Sequence, residues 1–102
     1  GIRTEKVKVD VASTNNWADY VFEDDYNLDS LEEVETFIKE NKHLPNVPSA
    51  IEVVENGINL QEMDATLLRK IEELTLYTIE QQKLINQQQQ TIEKLMTLVQ
   101  NK

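Results

Sequence analysis

The sequence predicts a mainly α-helical protein with a short N-terminal β segment. A small head is expected to pack on one long C-terminal helix, which enters a parallel coiled coil. Three observations predict this. No glycine or proline follows Gly57. Apolar residues recur at a seven-residue period from Leu67 onward. Ahead of that, capping signals and the only two prolines cut the chain into short pieces.

The first element is "RTEKVKVDVA". Val7, Val9 and Val11 fall on one face, and Lys6, Lys8 and Asp10 on the other. Period two with β-branched residues reads as a strand with one buried face. A lone strand is unstable, so a partner is required, either upstream chain or another copy. The opening "GIRTEK", without methionine, reads as a piece of something longer.

"STNN" is a polar turn. The stretch "WADYVFEDDYNLDS" holds Trp17, Tyr20, Phe22 and Tyr26, four of the six aromatics, and predicts a compact apolar cluster with its acids in water. Asp19, Glu23, Asp24, Asp25 and Asp29 invite a calcium-loop reading. Such a loop wants alternating oxygen ligands, a glycine at its sharp turn and a closing glutamate. No glycine is present, so solvated acids are the better reading.

"SLEE" at 30–33 is a capping box, with Ser30 as N-cap and Glu33 reaching back. Leu31, Val34, Phe37 and Ile38 follow at helical spacing, so a helix runs to about Asn41. Pro45 forces Leu44 out of helical geometry and is expected to set the stop. "SAIE" at 49–52 is a second box, with Ser49 and Glu52 as reciprocal partners and Gly57 as a left-handed helix end. "NLQE" at 59–62 makes Asn59 the cap of the long helix, with Glu62 three residues on.

The stretch "HLPNVPSAIEV" carries the only histidine, and Ser49 lies six residues beyond it. A nucleophilic serine needs a base within reach and a group that orients the base. Ser49 already has a capping role, and the proline segment separates it from His43. No catalytic residue is assigned. His43 is expected to cover the end of the preceding helix, where a cation is mildly favoured.

From Leu60 a helix of about 40 residues would be about 60 Å long. With Ile71 as position a, the a series is Ile71, Thr78, Ile85, Ile92 and Val99. The d series is Leu60, Leu67, Leu74, Gln81, Gln88 and Leu95. A sustained seven-residue repeat implies a left-handed coiled coil. Upstream the a positions fall on Asp64 and Gly57, so the register begins near Leu67. The expected seam is Leu67, Ile71, Leu74, Thr78, Gln81, Ile85, Gln88, Ile92, Leu95 and Val99. Leu68, Leu76, Tyr77 and Ile79 lie off it and are expected to carry the head. Gln81 and Gln88 would put amides in the seam, where pairing between copies can fix register and chain number. Isoleucine at a with leucine at d leans to two strands.

Composition narrows the partners. The 102 residues carry a net charge of −9. Residues 1–59 hold 13 acids and 5 bases, net −8. That balance argues against nucleic acid, which needs a basic footprint, and against anionic membrane surfaces. No apolar run approaches the ~18 residues of a membrane span. Without cysteine there are no disulfides or thiolate metal sites. Nothing in the chain calls for a cofactor or a metal.

The stretch "WADYVFEDDYNLDSLEEVETFIKENKHLPNVPSAIEVVENGINLQEMDATLLRKIEELTLYTIEQ" resembles a C-terminal region of Bacteroidetes proteins labelled tail-fibre-like. That region is distantly related to the intramolecular chaperone of endosialidase-type fibres. The resemblance spans roughly residues 2–82, and its most specific parts are "WADYVF", "HLPNVPSA", "NGINLQEM" and "KIEELTLY". It implies a homotrimer that folds at a fibre's end and sets the chains in register. Residues 1–14 would then end a β-rich shaft, 15–59 would form the head, and 60–102 the long helix, coiled from about 67. It also implies an extracellular place, on a cell surface or a phage-like particle. Chaperones of that kind often cut themselves free at a Ser-Asp motif; this chain has no Ser-Asp pair, so no self-cleavage is carried over. The expected function is a trimerisation and folding module that partners itself and its own upstream shaft. The alternatives are an autoproteolytic domain and a ligand-binding fibre tip.

Overall fold

The computed structural model describes Arg3, Glu5, Lys6, Lys8, Asp10 and residues 17–101. The predicted strand face of Val7, Val9 and Val11 lies outside the described residues. What is described is mainly helical: a 3-10 turn at Tyr20–Phe22, then α1 (Leu31–Asn41), α2 (Ala50–Asn56) and α3 (Leu60–Gln100). The long C-terminal helix expected from the absence of glycine and proline is therefore present. Its contacts divide the chain into residues 1–72 and residues 73–102, so the first turns of α3 belong with the head.

The helix starts follow the caps. In α1 the Glu33 backbone N–H donates to Ser30 Oγ at 3.1 Å. Half of the expected box differs: Glu33 Oε1 accepts from the Ser30 hydroxyl at 3.2 Å. In α2 both halves close. Glu52 N–H donates to Ser49 Oγ, and Ser49 N–H donates to Glu52 Oε1, each at 3.2 Å. In α3 Glu62 N–H donates to Asn59 Oδ1 at 3.0 Å.

The stop of α1 corrects the expectation placed on Pro45. Lys42 ends the helix in the left-handed region, φ 63°, with its N–H on the Ile38 carbonyl at 2.8 Å. Pro45 acts later. It sits second in the turn Leu44–Pro45–Asn46–Val47, closed by Val47 N–H on the Leu44 carbonyl, with Asn46 at φ 63°. Proline second and a positive-φ asparagine third are the requirements of a type II turn. Gly57 does take a positive φ, 69°, but its ψ of −171° is extended, so it turns the chain rather than winding the helix end. Nothing lies within 4 Å of where a side chain would begin at Gly57, so only its backbone angle demands glycine.

The head's core also differs from the expected aromatic cluster. Its fully covered apolar residues are Ala18 and Val21, while Trp17, Tyr20 and Phe22 are exposed. Tyr20 and Tyr26 stack at a tilt, ring centroids 5.9 Å apart. The small side chains sit inside because Asp19, at φ 42°, makes a tight turn closed by Tyr20 N–H on the Ala18 carbonyl. That turn brings the main chain, rather than the rings, down onto α3.

Candidate functional site

Glu72 is 6 % exposed and is the one buried residue of α3. Its Oε1 accepts the Asp19 backbone N–H at 3.1 Å, and one turn earlier Arg69 Nη1 donates to the Tyr20 hydroxyl at 3.3 Å. Glu72 Oε2 and Arg69 Nε are buried without a hydrogen-bond partner. Nothing in the sequence separates Glu72 from Glu73 beside it, so this contact was not legible there. We expect Glu72→Ala to cost the head about 1–3 kcal/mol, because the Asp19 N–H loses its acceptor. Glu72→Gln should cost less, since an amide oxygen can still accept and the buried charge is gone. Urea unfolding followed by Trp17 fluorescence separates the two variants.

The seam residues show the opposite pattern. Leu67, Ile71, Leu74, Ile85, Ile92, Leu95 and Val99 are each between 47 and 69 % exposed. Off the seam, Leu68, Leu76 and Tyr77 are half-buried, whereas Ile79 is exposed. Between Leu60 and Glu72 the head therefore covers the face that carries Ala65, Arg69 and Glu72, and leaves open the one that carries Leu67 and Ile71. An isolated helix that exposes its apolar series and buries a glutamate is inverted relative to a globular one.

The polar members of the seam divide into two kinds. Thr78 Oγ1 donates to the Leu74 carbonyl at 2.8 Å, so its hydroxyl is satisfied within its own helix and its methyl remains for the seam. Gln81 and Gln88 make no side-chain hydrogen bond among the described residues. Their off-seam neighbours do: Gln82 donates to Asn86 at 3.0 Å and Gln89 to Glu93 at 3.3 Å.

The residues weighed for catalysis are used locally. The His43 ring meets Phe37 of α1 edge-on at 5.4 Å, and its Nδ1 lies 2.9 Å from the Leu44 carbonyl. Ser49 Oγ is the cap of α2. The acids weighed for calcium do not converge: among the described residues no three His, Cys, Asp or Glu side chains could hold a metal ion. No helix among the described residues is long and apolar enough to cross a membrane.

The Glu52 carboxyl is held below its ordinary pKa, first by the Ser49 backbone N–H, then by the Ser49 hydroxyl, with a smaller pull from His43. A lowered folded-state pKa favours folding above the unfolded value of about 4.5, and that contribution is lost as pH falls through the lower folded value. Helicity of the head should therefore decline with acid below about pH 4.5, and Glu52→Gln should flatten that decline in circular dichroism.

Comparison with family models, with curated proteins and with solved structures gave no match.

Proposed function

We propose that this chain is a homotrimerisation and folding module, in which three copies of α3 pack in parallel along the seam. The observation that carries it is the exposed apolar series from Leu67 to Val99, on a helix whose first turns, Leu60 to Glu72, turn a different face to the head. A strict seven-residue repeat selects as its cover another helix of the same repeat, and an identical copy supplies one in register.

Stripe width favours three copies over two. Leu84 and Leu98 lie at g and Met96 at e, and all three are exposed. A dimer seam needs little beyond a and d, whereas a helix inside a bundle buries e or g as well. If residues 2–82 belong with the C-terminal regions of fibre-like proteins that they resemble, the module would follow a β-rich shaft. Local helical contacts form faster than the non-local pairing of such a shaft, so the helices would align the three chains first.

The test is molar mass in solution by light scattering. Three times 11.9 kDa is expected. A monomer at micromolar concentration refutes the module, and a dimer refutes the chain number alone.

The exposure of Trp17 and Phe22 favours a second reading, a ligand-binding tip. Under it, Trp17→Ala abolishes binding to a glycan panel while the trimer persists; under the first reading no glycan binds.

A further inference from the structure

The most exposed apolar side chains outside the seam lie on α2. Helix α2 carries Ile51 at 71 % and Val54 at 86 % exposure, and only Val53 among its residues is half-buried. Ile58 and Leu60, just beyond its end, are exposed too. Two β-branched residues at i and i+3 form one face of this short helix. Folded on its own chain, α2 leaves that face in water.

We infer that the Ile51–Val54 face of α2 docks on the first turns of α3 in a neighbouring copy. The inference rests on the trimer reading and names a second contact within it. Reach supports it. Three residues, Gly57 to Asn59, join α2 to α3, so Asn56 and Leu60 are at most about 14 Å apart. Packed helices lie about 8–10 Å axis to axis. The α2 of one chain is thus tied beside the start of its neighbour's α3.

The seam itself leaves a vacancy there. Position a before Ile71 is Asp64, and before that Gly57, so no apolar a layer pairs with Leu60. Leu60, ahead of the register, is nevertheless 61 % exposed. It needs a cover that the heptad does not supply, and α2 is the apolar element anchored at that end. Its acids, Glu52 and Glu55, sit at other positions of the helix and can stay in water, Glu52 already serving as the cap partner of Ser49.

The chain has no cysteine, but a photo-crosslinker tests contact without demanding disulfide geometry. Val54 is replaced by benzoylphenylalanine in the full chain, and the purified protein is irradiated. Covalent two-chain and three-chain products are expected, with the adduct mapping by mass spectrometry to residues 60–71. If the solution mass is trimeric and the adduct stays within one chain, the inference falls while the trimer reading stands. A monomeric mass before irradiation overturns both. As a second measurement, the double variant Ile51→Ser, Val54→Ser should raise the concentration of half-dissociation by about tenfold or more. An unchanged dissociation curve also overturns the inference, because side chains this exposed in the single chain have nothing else to lose.

Discussion

Replacing Ile85 by aspartate is expected to turn the assembly into monomers at micromolar concentration, with a large loss of helical circular dichroism. Ile85 is an a residue near the middle of the proposed seam and 54 % exposed in the single chain. In a trimer the substitution removes three apolar side chains, at about 1.5–3 kcal/mol each. It also brings three carboxylates together near one axis, where desolvation adds several kcal/mol per ion. Helicity falls with assembly because a helix without packing is marginal in water. The control is Gln90→Asp, at position f and exposed, which should change the mass little. If Ile85→Asp leaves mass and helicity intact, α3 does not assemble through this face.

The second large effect is expected from changing Gln81 and Gln88 together to leucine: melting temperature rises and the population of oligomers broadens. Both lie at d, between the apolar layers of Leu74 and Leu95. Among the described residues neither amide is bonded, although those of Gln82 and Gln89 are. In a trimer three amides meet at each level and can bond one another. Each layer made apolar should contribute about 1–3 kcal/mol. The same change removes the penalty on shifted or two-stranded pairings, because a misaligned amide no longer faces leucine. Native mass spectrometry should then detect more than one species. A single trimer with unchanged melting would mean that these glutamines face water, and that the register beyond Leu74 is misassigned.

Much of the fold was legible because its signals are local. Ser30, Ser49 and Asn59 mark three helix starts through bonds that span three residues, and the structure places α1, α2 and α3 one residue after each. The unbroken length of α3 was legible as well, since it follows from the absence of glycine and proline after Gly57. The stop of α1 was legible in place, near Asn41, but not in cause: Lys42 ends the helix with a left-handed φ that lysine does not advertise, and Pro45 acts later, in the turn that follows.

The sequence by itself determined the order and starts of the three α-helices among the described residues, because caps act within a few residues. Only the tertiary structure decided what is covered. It put Ala18 and Val21 inside instead of the aromatics, placed Glu72 against the Asp19 N–H, and left Leu67, Ile71, Ile51 and Val54 exposed. The physical reason is that burial is a property of chain segments brought together from far apart. Asp19 and Glu72 are 53 residues apart, and no pattern within either segment encodes the tight turn that aims one at the other.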